Sequence, residues 1–144
     1  MRIADVLACK SGAVITIAPN AQVVTAISAL AENNIGAVPV CGADEVMVGI
    51  LSERDVVREL MTRGRSFLDL KINDVMTTNV FTCSPEDDTS YAMEVMQANR
   101  FRHIPVVENG RPIAMISTRD LMGAVLEETV EQRRTLAVAY EMMR

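Results

Sequence analysis

Two short stretches carry residue types that could do chemistry: Ser52-Glu53-Arg54-Asp55 and Ser117-Thr118-Arg119-Asp120. A serine followed three residues later by an acid, where a strand passes into a helix, is a capping-box pattern. Such a box satisfies backbone N–H groups that the first helical turn leaves unpaired. Two helices need two caps, so the doubling alone proves nothing. The arginine in each stretch points further. A cation at the second helical position is disfavoured by roughly 0.3–1 kcal/mol, yet both copies place one there. An anion at the same helix start reverses that penalty, because N–H groups, dipole and guanidinium converge on it. An aspartate in that turn can accept hydrogen bonds from a ribose diol while the arginine faces phosphate. The competing reading pairs each arginine with an adjacent carboxylate such as Glu53 or Asp55.

A second candidate is Arg102-His103-Ile104-Pro105, with Arg100 close by. His103 is the only histidine, so it cannot belong to a multi-histidine metal site. It has no evident serine or cysteine nucleophile with a third orienting group either. It instead extends a basic cluster at a helix-to-strand loop; the competing reading is a solvated charged loop. The matching loop earlier in the chain, Gly36-Ala37-Val38-Pro39, has no basic residue. If these loops face phosphate, the one at 102–103 is the better binder. No GxxxxGK[ST], GxGxxG, HExxH or GxSxG motif occurs, so neither catalysis nor a metal site is expected.

The elements that position these residues come in two copies. Val14–Pro19 corresponds to Val80–Pro85, 66 residues later, and Val38-Pro39-Val40 falls on Ile104-Pro105-Val106 at the same offset. Gly49–Asp55 matches Ala114–Asp120 at 65, and Ile3–Val6 matches Ile72–Val75 at 69. The drift reflects three extra residues around Cys9–Ala13 and one near Ala43–Val46, placed where loops tolerate them. Each unit predicts a helical turn (3–7, 72–76), a strand ending at a proline (14–18, 80–84) and a helix (21–33, 87–99). Val23, Ile27 and Leu30 give the first of these helices an apolar face, and Tyr91 and Val95 the second. Two strands follow (37–41 and 47–51; 103–107 and 112–116), then a closing helix (53–62, 118–126). The order is α-β-α-β-β-α, twice. A unit of about 65 residues is marginal alone, so the two are expected to share a core. The units span 1–64 and 65–126, with Arg63–Ser66 as the passage between them. Residues 127–144 are expected to form an extra helix with Val130, Leu136, Ala137, Tyr140 and Met143 as its apolar positions.

Composition narrows the function classes. The chain has 144 residues, 49% hydrophobic and 23% charged, as a folded globular protein does. Its net charge of −5 argues against general nucleic-acid binding, which rests on phosphate neutralisation. Lys10 and Lys71 are the only lysines, and the other twelve basic residues are arginine. Cys9, Cys41 and Cys83 form no CxxC pair or disulfide framework and read as small buried hydrophobes in a reducing cytosol. The methionines, such as Met93, Met96, Met122 and Met143, read as core filler. No stretch approaches a membrane span and the N-terminus has no secretory pattern, so a cytoplasmic protein is expected.

Together the two units resemble a tandem pair of CBS domains, the module named after cystathionine β-synthase, over residues 1–126. The likeness rests on the doubled Asp-Val lead-in, the strand ending at Pro19 or Pro85, the Val/Ile-Pro-Val segments and the Ser-x-Arg-Asp closures. It implies an α+β fold, two repeats packed sheet to sheet with pseudo-two-fold symmetry, that commonly dimerises. It also implies clefts between the repeats for adenosine-containing ligands: AMP, ADP or ATP, in other members S-adenosylmethionine or a dinucleotide such as NAD. By position, Asp55 and Asp120 would hold ribose, with Ser52 and Ser117 nearby. Adenine would lie at Val14 or Val80, beside Val38-Pro39 or Ile104-Pro105, and phosphates near Arg102, His103, Arg54 and Arg119. Gly36-Ala37 supplies no phosphate partner, and Ala114 stands where the first repeat has Gly49. The expected function is a non-catalytic, homodimeric adenine-nucleotide sensor, without catalytic cofactor, that signals to a protein partner. The alternative is a structural dimerisation module with vestigial clefts.

Overall fold

In the computed structural model, which describes residues 1–10 and 12–144, each repeat centres on a β-hairpin. In the first, β1 (Ala37–Cys41) pairs antiparallel with β2 (Met47–Ser52), Ala37 opposite Ser52 and Val40 opposite Gly49. In the second, β3 (His103–Glu108) pairs with β4 (Arg111–Ser117), His103 opposite Ser117 and Val106 opposite Ala114. The second hairpin turns at Asn109-Gly110, both at positive φ, as a tight turn between twisted strands requires. β1 lies against β4, so the two small sheets meet face to face across the middle of the molecule.

The helices follow their apolar spacing. Between α1 (Ile3–Ala8) and β1 comes α2 (Val23–Glu32), which buries Val23, Ala26 and Leu30. α3 (Glu53–Arg63) follows β2, and the chain then winds through 3₁₀ turns at Gly64–Asp69 and Ile72–Asp74 to α4 (Thr89–Asn99). α4 buries Thr89, Ala92 and Met96 rather than the face expected around Tyr91, which is exposed. α5 is one unbroken helix, Thr118–Met143, where a closing helix and a separate extra helix were expected. No proline or capping residue interrupts residues 126–128, so nothing stops the helix there.

The strands expected at 14–18 and 80–84 are single parallel bridges, Ile17 to Val40 and Cys83 to Val106. Proline explains both ends. Ile17 donates to the Pro39 carbonyl and accepts from Cys41, and Cys83 does the same with Pro105 and Val107. The next rung one way needs an N–H from Pro39 or Pro105, and the other way one from Pro19 or Pro85. Proline has none.

The lead-in segments are exchanged between the halves. Ile3 and Val6 of α1 are buried with Ala92, Met96, Ile104 and Ile116 of the second repeat. Ile72 is buried with Ala26, Leu30, Val38 and Leu51 of the first. Backbone bonds hold the exchange: Ile3 donates to Asp87 and Thr89 to Met1 on one side, Ile72 to Ala21 and Val23 to Leu70 on the other. Two marginal cores are thus knit into one body. Cys41 and Cys83 are buried as expected; Cys9 is exposed. Met96 is core, but Met122 and Met143 are exposed, because the helix carrying them leaves the body. Among the described residues no helix is long and apolar enough to cross a membrane.

Candidate functional site

Both Ser-x-Arg-Asp stretches form their capping boxes. Asp55 N–H donates to Ser52 Oγ at 3.1 Å, and Asp55 Oδ2 accepts from Ser52 N–H at 3.0 Å. Asp120 N–H and Ser117 Oγ are also 3.1 Å apart, and Ser117 N–H reaches Asp120 Oδ2 at 2.8 Å. The carboxylates are therefore fixed at the starts of α3 and α5, half-buried, each with Oδ2 committed to its own helix.

Beyond the caps the two halves part. Lys10 donates to Asp120 Oδ2 at 2.8 Å and to the Met115 carbonyl at 2.5 Å. Among the described residues, the one cation paired with Asp55 is Arg58, one turn along its own helix at 3.9 Å. Burial alone would raise the Asp120 carboxyl, but Lys10, the Ser117 N–H and the Ser117 hydroxyl outweigh it, holding Asp120 below the ordinary carboxylate range.

Next to Lys10 a cleft of about 320 Å³ opens between the halves, a volume within the range of small-ligand sites. Its walls include Val14, Ala37 and Pro39 from the first repeat and Ile113, Ala114 and Met115 from the second. Val14 and Pro39 are thus where an adenine site was expected. Val38 and Ile104 are not: both are fully buried, with side chains in the two cores. Neighbouring strand residues point to opposite faces, so a strand that offers Ala37 and Pro39 to a cleft turns Val38 away. Pro105 is buried, and half-buried Val80 lies outside this cleft's walls.

The opposite half is closed at the equivalent place. Ile50 and Thr77 exchange both backbone bonds, 2.9 and 3.0 Å. A Cβ on Gly49 would lie 2.9 Å from the Thr77 carbonyl and 2.6 Å from Met76 Sδ. That contact requires glycine at 49 and explains why alanine is tolerated at 114, where the cleft stands open.

The basic residues are spread rather than gathered. Arg54 is exposed and donates to the Arg100 carbonyl across the halves at 2.6 Å, a partner the sequence reading did not include. Arg102 is exposed, and its carbonyl accepts from Thr118 at 2.9 Å. Arg119 is exposed with no ion-pair partner among the described residues. His103 packs on Gly36, where an added Cβ would lie 2.2 Å from its Cε1. Burial pushes the imidazole below its ordinary value; Glu53 and Asp120 oppose that, while Lys10 and Arg102 add to it. His103 is thus packed between the halves, against Gly36 of the first repeat. Lys10 and Met115 line the cleft, and sequence reasoning included neither. The signal for Lys10 was its position inside the insertion that breaks the repeat.

The family model for the CBS domain matches residues 4–62 and 72–127, so the chain belongs to the CBS domain family. The crystal structure of a CBS-domain containing protein from Agrobacterium tumefaciens has 38% identity to the chain and a TM-score of 0.80, covering 85% of this chain and 92% of that one. The mitochondrial CBS domain-containing protein CBSX3 of Arabidopsis thaliana is 36% identical over 115 residues, 77% of this chain. The chain spans only 56% of that relative's length. At 20% identity, a structure of CBSX2 solved with AMP shares the fold, with a TM-score of 0.73 over 89% of this chain and 98% of that one.

Proposed function

We propose that the chain is a non-catalytic regulatory module that binds an adenosine-containing ligand of the AMP, ADP or ATP class between its two repeats and reports energy status to a protein partner in the cytoplasm. One observation carries the reading: a ligand-sized cleft has walls from both halves and is lined by Lys10, whose ammonium pairs with Asp120. Such a ligand lays its base against Val14 and Pro39 and its ribose diol on Asp120. A ligand that touches both halves can bias their relative packing if it prefers one arrangement. That a protein of the same fold is solved with AMP supports the ligand class. Residues 1–64 and 65–126 act as the two repeats, and 127–144 as the surface offered to other chains.

Calorimetric titration with AMP, ATP, S-adenosylmethionine and NAD tests this. Binding of AMP or ATP that Asp120→Ala abolishes supports it. Absence of binding by all four at millimolar concentration refutes it.

A second reading, a structural dimerisation module, draws on exposed apolar residues at equivalent places: Val57 and Met61 on α3, Met122 and Leu126 on α5. The two readings are compatible in a homodimer. They part if Asp120→Ala lowers the melting temperature while leaving ligand affinity untouched.

A further inference from the structure

The halves are least alike just before Val14, where the first repeat carries three residues more than the second. Lys10 lies in that insertion. Its ammonium takes Asp120 Oδ2, an oxygen already accepting from Ser117 N–H, and the Met115 carbonyl. In the other half the carbonyl of Ile50, equivalent to Met115, accepts from the Thr77 backbone instead. A rigid backbone bond that closes one half is thus replaced by a flexible cation beside the cleft in the other. Lys10 also lines that cleft.

We propose that Lys10 reads the charge of the ligand. It occupies Asp120 against uncharged adenosyl ligands and moves to the anionic group of a phosphate-bearing one, releasing the carboxylate to the ribose. The inference rests on the adenosine-binding reading above and adds the ligand class. A neutral nucleoside must displace the exposed ammonium from Asp120 and gives it no partner but water, so the ion pair is lost without replacement. A sulfonium ligand adds a like charge. A phosphate supplies three strong acceptors within reach of a four-carbon stem. The discrimination is worth about one hydrogen bond to a charged group, roughly tenfold to a hundredfold in affinity.

The experiment is calorimetry of the full chain with AMP and with adenosine, for wild type, Lys10→Met and Lys10→Arg. Wild type is expected to prefer AMP by at least about tenfold, the lower end of that range. Lys10→Met should lose AMP affinity and gain adenosine affinity, and Lys10→Arg should keep most of the preference. The wild type alone gives a further readout, because lysine ammonium resonances come from two residues only: at a concentration that fills the site with AMP but leaves the more weakly binding adenosine unbound, the Lys10 signal should shift with AMP and stay with adenosine. AMP binding with an unchanged preference in Lys10→Met, or a Lys10 signal indifferent to AMP, overturns this inference and leaves the adenosine reading standing. No binding of either ligand by either protein overturns both.

Discussion

The half that Thr77 closes and the half that Lys10 borders grow from the same repeat, and an insertion of three residues separates them. In the closed half the chain runs straight from the Ile72–Asp74 turn to Thr77, which pairs with Ile50 edge to edge. In the open half the Lys10 side chain donates to the Met115 carbonyl, the position equivalent to Ile50. A backbone pair cannot yield to a ligand without breaking the sheet edge. A lysine can, because its ammonium has other partners to take and its stem rotates freely. The asymmetry lies in which chemical group bridges the seam, while the two hairpins and caps stay alike.

The largest expected effect tests the closed half. Gly49→Ala must push the Thr77 carbonyl or Met76 aside, an overpacking worth about 1–3 kcal/mol. Ala114→Gly, its mirror in the open half, should cost only about 0.5–1 kcal/mol of backbone entropy. Thermal unfolding of both variants checks the order, and hydrogen exchange at Ile50 should quicken in Gly49→Ala alone. Equal losses would mean that the halves are not differently closed.

Next come the caps. Ser52→Ala and Ser117→Ala should each lower stability by about 0.5–2 kcal/mol, read as a fall in the denaturation midpoint. Because both boxes have the same geometry, the two losses should agree; a marked difference would place the asymmetry in the caps instead of the seam.

A smaller effect is expected from pH. Burial depresses His103, so the unfolded chain binds its proton more readily than the folded one. The folded state therefore keeps its full stability above the ordinary imidazole value of about 6.5 and loses part of it as pH falls below that. His103→Gln should flatten that slope, measured as melting temperature against pH from 7.5 down to about 5. Asp120 gives way further down: its depressed carboxyl contributes above the usual carboxylate range, and that share is lost as pH falls through its lowered value.

The least perturbing test is thiol labelling of the native protein. Cys9, beside the insertion, should react with iodoacetamide, while buried Cys41 and Cys83 should not. Burial, with Asp87 adding to it, pushes the Cys83 thiol up to about 11. Labelling of all three would mean that the cores beneath the hairpins open readily.

Much of the fold was legible because it depends on local rules. The strand pairs expected at 37–41 with 47–51 and at 103–107 with 112–116 form the hairpins, and serine with aspartate three residues on marked the starts of α3 and α5. Two errors were of another kind. The strand expected at 14–18 shrank to one bridge because its partner row contains Pro39, a fact of register that no local window holds. Tyr91 was taken for core because helical spacing identifies a stripe but not which side of it meets a neighbour. The adenine candidates divided for the same reason: Pro39 reached the cleft and Val38 turned into the core.

By itself the chain determined its doubled architecture, its caps and the chemistry available at Asp55 and Asp120, since hydrophobic period and capping act over a few residues. Tertiary structure decided which of those equivalent carboxylates meets a cation from far along the chain, one that also lines a cleft. The exchange of lead-in segments brings Lys10 to Asp120 and Thr77 to Ile50, contacts more than a hundred residues apart in one case and twenty-seven in the other. Pairings at such separation follow from how two shared cores close, and a repeat that looks symmetric along the chain need not be symmetric once folded.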